Sequence, residues 1–152
     1  MPSCIISDTS CLILLSKIGH LSTLEKVYQE VLITPEIQSE YGEALPDFIQ
    51  VRKVKALATQ RALQQQVDIG EASALALALE NSDPLLIVDD KQARRLADQL
   101  GVAFTGTLGI LVRAKQSKQI SSLKDVLEQI QKTDFRISER LINLILKQVG
   151  ES

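Results

Sequence analysis

The 152-residue chain has no tryptophan, one histidine, one methionine and two cysteines, and aromatic residues make up only 3% of it. Its single imidazole, His20, follows Gly19 in what reads as a helix exit, so a zinc site of imidazole and thiolate lacks ligands. Two cysteines make no disulfide framework; Cys4 and Cys11 read as reduced, buried thiols of a cytoplasmic protein. Gly-x-Ser-x-Gly is absent, which argues against a serine hydrolase, and the absence of Gly-x-Gly-x-x-Gly argues against a dinucleotide-binding oxidoreductase. No apolar run approaches the roughly 18 residues of a membrane span, and Met1-Pro2-Ser3-Cys4 lacks the basic start of a signal peptide. A net charge of −2 offers no basic excess, so contact with nucleic acid must come from a local patch. With only Tyr28, Tyr41, Phe48, Phe104 and Phe135 available, no base-stacking platform can be placed from the sequence.

What is present is an ordinary globular composition, 45% apolar and 24% charged, on a length that suits one domain spanning 1–152. Ile5-Ile6-Ser7 reads as a short buried strand, and Asp8-Thr9-Ser10 before Leu12-Ile13-Leu14-Leu15 reads as a helix start. That helix covers Cys11 to Ile18 and stops at Gly19; helical spacing resumes from Leu21 to Val27. Val31-Leu32-Ile33-Thr34 is a second strand, with Pro35 opening a helix that runs to about Glu43. Phe48 to Val54 alternates as an outer strand, Lys55 to Gln66 is a surface helix, and Asp68 to Leu79 is a helix of small and apolar residues. Asn81 to Pro84 is a turn, Leu85 to Val88 a fully apolar strand, and a helix from Lys91 ends at Gly101. Val102 to Thr107 supplies a last strand and a Gly-Thr turn, followed by helices over Leu108 to Ala114, Ser122 to Gln131 and Ser138 to Gln148. Strands alternating with helices at these spacings predict right-handed crossovers and a parallel sheet covered on both faces.

Acids recur at the junctions of this pattern. Asp8 ends the first strand, Glu40 rides the helix after the second, Glu71 sits in the first turn of the small-residue helix, and Asp89-Asp90 end the strand at Val88. All fall on the carboxyl edge of the sheet, where ligand sites collect. Carboxylates converging there without Lys or Arg between them repel one another unless a divalent cation lies among them. Oxygen ligands without His or Cys suit Mg²⁺ or Mn²⁺. Lys17, Lys91, Arg94 and Arg95 are the basic residues nearest that edge and suit phosphate contacts. Thr9 and Ser10 suit either a phosphate contact or a helix cap.

Ile6-Ser7-Asp8-Thr9-Ser10, the Glu40 helix, Gly70-Glu71-Ala72, Val88-Asp89-Asp90-Lys91-Gln92-Ala93-Arg94 and Gly106-Thr107-Leu108-Gly109 together resemble a PIN domain over nearly the whole chain. The likeness leans toward the uncharacterised prokaryotic branch related to VapC toxins. It implies a three-layer α/β/α sandwich around a parallel sheet of about five strands, and Mg²⁺- or Mn²⁺-dependent cleavage of RNA by the toxin of a toxin-antitoxin pair. Carried over by position, Asp8, Glu40, Glu71 and Asp90 are the catalytic acids. Asp8, Asp89, Asp90, Glu40 and Glu71 are the metal ligands, with Asp89 or Asp90 as the fourth acid, and Thr9, Ser10, Lys91 and Arg94 face the RNA. A small cognate antitoxin and a homodimer, to which the apolar helix around Leu141 to Leu146 could contribute, are expected from the resemblance alone. Glu71 stands where many relatives have Asp, and Val88 where they have Thr. These departures motivate an alternative, a PIN-like module that binds nucleic acid or regulates without turnover. A structure-specific DNA nuclease is a further alternative on this scaffold, and a receiver-like domain fits the Lys and hydroxyl positions poorly.

Overall fold

The computed structural model describes residues 2–151. Five strands, β1 (Cys4–Ser7), β2 (Val31–Ile33), β3 (Ile49–Val51), β4 (Pro84–Ile87) and β5 (Ala103–Thr105), form one all-parallel sheet in the order β3-β2-β1-β4-β5. The helices are α1 (Thr9–Lys17), α2 (Ser22–Tyr28), α3 (Pro35–Tyr41), α4 (Leu57–Leu63), α5 (Ile69–Leu79), α6 (Lys91–Gln99), α7 (Thr107–Gln116), α8 (Leu123–Gln131) and α9 (Glu139–Gln148). They complete a three-layer α/β/α sandwich, as the sequence predicts.

Position in the sheet follows composition. Val31-Leu32-Ile33 is wholly buried and lies inside, whereas Gln50 and Val51 of β3 are exposed, as suits an edge strand. The small-residue helix α5 lies against β1 and β4, and its Ala72, Ala74, Ala76 and Ala78 are buried almost completely. Short side chains let its backbone approach the sheet closely, which explains apolar character on nearly every side. Ile6, Leu12, Leu15, Leu75, Leu86 and Ile87 form the middle of the core.

Several boundaries differ from those read in the sequence, each for a local reason. The first helix begins at Thr9 rather than Cys11, because Asp8 is its N-cap and accepts the Cys11 N–H at 3.0 Å. The outer strand keeps only Ile49–Val51 of its expected seven residues, since β2 offers three partners, Val31, Leu32 and Ile33. α3 ends at Tyr41, where Gly42 takes the left-handed conformation at φ 72°. Gly19 does the same after α1, and His20 N donates to Leu15 O at 2.8 Å, so His20 belongs to a helix-ending turn. Cys11 is buried and Cys4 only half-buried, and neither forms a disulfide. Ile145 and Leu146 of α9 are buried, while Leu141 and Leu144 remain exposed. Among the described residues, no helix is long and apolar enough to cross a membrane.

The sheet order fixes where a ligand can sit. β1 lies between β2 and β4, so the chain leaves it toward one edge and later returns on the other side. Connections diverging from neighbouring parallel strands open a crevice at their carboxyl ends. β1 and β4 pair in register, Ser7 opposite Ile87, and Asp8 N donates to Ile87 O at 2.9 Å. The residues following these strands are therefore neighbours across that crevice.

Candidate active site

Asp8 is the most buried of the candidate acids, with 4% of its surface exposed. Burial pushes its carboxyl up to about 7; the Cys11 N–H pulls the other way, and the charges of Asp89 and Glu71 add to the rise. A carboxylate at a helix N-terminus is normally comfortable. This one is not, because it is dry and faces other acids.

Across the crevice, Asp89 is held at both oxygens. Thr107 N donates to Oδ1 at 2.9 Å and the Thr107 hydroxyl to Oδ2 at 2.6 Å, tying the end of β4 to the start of α7. Arg94 Nη2 lies 3.9 Å from Asp89 Oδ1, while its Nε donates to Val88 O at 2.8 Å and its guanidinium sits 5.5 Å from the centre of the Phe104 ring. A Cβ on Gly106 would fall 2.6 Å from Asp89 Oδ1 and collide with the Arg94 guanidinium, so any other residue there must push both side chains aside. Arg94, expected to face RNA, is thus partly engaged in holding this corner together. Thr107 is fully buried, and Thr107→Val should remove one charge-assisted hydrogen bond and cost about 2 kcal/mol in a urea unfolding experiment.

Glu71 and Glu40 approach from the other side. Glu71 is half-buried in the first turn of α5, whose N-cap Asp68 accepts the Glu71 N–H at 2.8 Å. Burial raises its carboxyl to about 7, with the charges of Asp68, Asp90 and Glu40 contributing. Glu40 is exposed at the end of α3; its Oε1 accepts the Thr9 hydroxyl at 2.6 Å, joining α3 to α1. The same carboxylate rests against Gly70, where a Cβ would overlap it. Asp90 is exposed and N-caps α6, its Oδ2 accepting Ala93 N at 2.9 Å.

Thr9 therefore serves neither as cap nor as a free hydroxyl, since Asp8 caps α1 and Thr9 holds Glu40. Ser10 and Lys91 are exposed beside the edge, and Arg95 is exposed on α6. Lys17 is not brought to the site: it ends α1, roughly 13 Å along the axis from Asp8 at 1.5 Å per residue. Sequence reasoning gave no role to Thr107 or Gly70. The signal for Thr107 was its place after a strand-ending glycine, where a hydroxyl and a free N–H point at one carboxylate.

The acids of four segments thus share one edge and sense one another's charge. Their oxygen-only chemistry fits a hard divalent cation, and an ion there would offset the burial and repulsion that raise Asp8 and Glu71. Asp8 and Asp90, with Glu40 and Glu71 opposite, would hold it. Among the described residues, however, no three of the His, Cys, Asp or Glu side chains are gathered tightly enough to cage an ion as they stand. The model of one protein family, described as a PIN domain, matches residues 4–151. No curated protein is significantly similar to the chain.

Proposed function

Because the chain belongs to the PIN-domain family, whose members are generally nucleases, we propose that it is an Mg²⁺- or Mn²⁺-dependent endoribonuclease and the toxin of a toxin-antitoxin pair. The observation that carries this reading is the gathering of Asp8, Glu40, Glu71 and Asp90 from four segments at one sheet edge, where burial and mutual charge push the carboxyls of Asp8 and Glu71 up to about 7. Perturbed carboxyls of this kind, brought together from distant segments, mark chemistry more often than structure. A bound divalent cation supplies neutralisation of phosphoryl charge and a more acidic water.

The chain's own groups do the rest. Glu71, half-buried at the edge of the crevice, orients the attacking water and accepts its proton. That water forms the new bond to phosphorus as the bond to the leaving sugar oxygen breaks. Lys91 and Arg94 hold flanking phosphates, giving salt-dependent affinity. Asp89 works at one remove, keeping β4 and α7 together so that Asp90 and Asp8 stay at one edge.

A groove of about 600 Å³ beside Glu40, with Leu57 and Ile69 exposed on its walls, supports a small antitoxin seated next to the acids. The Gln60 Oε1 on its lining is buried and has no hydrogen-bond partner. A homodimer is the remaining part of this proposal, and the exposed Leu144 of α9 supports it.

The test is incubation of end-labelled single-stranded RNA with Mn²⁺, with EDTA, and with Asp8→Asn and Asp90→Asn protein. Cleavage that needs Mn²⁺ and both acids is the expected result; cleavage surviving either substitution or EDTA refutes it. A binding module without turnover is favoured by the loose spacing of the acids, and it predicts RNA retention with no cleavage under any of these conditions. Preferential cleavage of branched DNA would instead mark a structure-specific DNA nuclease. Gly70→Ala offers a finer check. Its methyl needs the space of the Glu40 carboxylate, which must swing away and give up the Thr9 hydroxyl, so the variant should stay folded and cleave roughly ten- to a hundredfold more slowly.

A further inference from the structure

We infer that the hollow between β5, the start of α7 and the α8–α9 connection is a nucleobase subsite, where one base of a single-stranded RNA stacks on Phe135. The inference rests on the nuclease reading of the acidic edge and adds to it a place for the strand to lie. The hollow holds about 650 Å³, in the range of sites that enclose a small organic group. Asp89 forms part of its wall, so it continues directly from the acidic edge.

Its lining sorts into two chemistries. Lys91, Arg94 and Arg136 set three cations against the single carboxylate of Asp89, which favours a polyanion. Phe104, Phe135 and Leu141 supply apolar wall, which a bare phosphate does not need. A flat ring carried on a phosphate backbone satisfies both. An apolar peptide leaves the cations without partners.

The two phenyl rings are not equivalent. Phe104 already carries the Arg94 guanidinium, 5.5 Å from its centre, and so orients a phosphate-binding group. Phe135 is only half-buried, packed on the core on one side. Its N–H donates to the Thr133 hydroxyl at 3.1 Å, and the Thr133 hydroxyl donates to Ile130 O at 2.6 Å. Arg136 Nη1 donates to Thr133 O at 2.5 Å, so the turn presenting Phe135 and Arg136 is anchored to the end of α8. A backbone anchored in this way leaves the ring little more than its own side-chain rotation to lose when a base stacks on it.

The experiment compares fluorescein-labelled single-stranded RNA with an abasic backbone of the same length, by anisotropy in EDTA and low salt. Wild-type protein should bind the base-bearing strand about tenfold more tightly than the abasic one, as stacking on one aromatic ring provides. Phe135→Leu keeps apolar volume but lacks a π-face, and it should erase that preference while leaving abasic binding unchanged. Phe135→Tyr should retain it, which separates stacking from any loss of folding. Arg136→Ala should weaken both strands alike. Wild-type protein that does not distinguish the two strands, or Phe135→Leu protein that still does, overturns the subsite. Cleavage of unmodified RNA with Mn²⁺, run in parallel, reports on the nuclease reading separately: cleavage without a Phe135-dependent base preference defeats only the subsite, and the reverse defeats only the nuclease.

Discussion

Asp8→Asn protein should lose RNA cleavage by on the order of 10²–10³-fold, the scale of removing one charge-stabilising group, and should nevertheless melt higher than wild type in metal-free buffer at pH 8. The two effects share one cause. With a folded-state value of about 7 against an ordinary 3.8, Asp8 binds its proton more tightly in the native chain than in the unfolded one. Its contribution is fully favourable below about pH 4 and is lost as pH rises through 7, so the metal-free protein weakens across that window. Asparagine carries no charge to bury, and its side-chain oxygen can still accept the Cys11 N–H that caps α1. The gain at pH 8 should be about 2–4 kcal/mol, or roughly 5–10 °C by calorimetry for a chain of this size. A variant that is both inactive and less stable would instead mark Asp8 as a purely structural cap.

The second large effect concerns Mn²⁺ and protons. A cation held by Asp8 and Glu71 must displace whatever protons those carboxyls carry, and both titrate near 7. Apparent Mn²⁺ affinity should therefore hold steady above about pH 8 and fall by on the order of 100-fold between pH 7 and pH 5 for each proton displaced. Titration calorimetry at pH 7 in two buffers of different ionisation enthalpy should register proton release. Affinity that does not change with pH would show that these carboxyls do not hold the ion.

How much of this was legible in the sequence depends on the range of the interaction involved. The strands Ile5-Ile6-Ser7, Val31-Leu32-Ile33 and Leu85-Leu86-Ile87 are short, apolar and bounded by turn or capping residues, so their type and parallel pairing follow from pattern alone. Pairing then places Asp8 beside Asp89 without further information, because both residues follow strands that run side by side. The helix starts near Asp68 and Lys91 were legible too, whereas the first helix starts at Thr9, two residues before the apolar spacing suggests, because Asp8 itself caps it. What composition could not supply was the division of labour between acids. That Asp89 is tied by Thr107, 18 positions away, whereas Asp90 faces solvent, depends on how α7 sits against the end of β4.

The basic residues show the same limit. Lys17 and Arg94 are both near the acids in the sequence, yet Lys17 lies at the far end of α1, whereas Arg94 stays at the edge, oriented by Val88 and Phe104. Helix length decides the first case and a long-range packing contact the second. Phe135 and Arg136 lie in a connection without periodicity, more than 40 positions after Asp90, and only the folded chain brings them to Asp89.

Electron paramagnetic resonance of free Mn²⁺ during titration into the protein at pH 8 bears most directly on the claim that carboxylates from four separate segments hold one hard cation. Wild-type protein should quench the free-ion signal, excess Mg²⁺ should restore it, and neither Asp8→Asn nor Asp90→Asn should quench it. A signal that wild-type protein leaves as strong as in buffer, or that both variants quench as wild type does, contradicts the account.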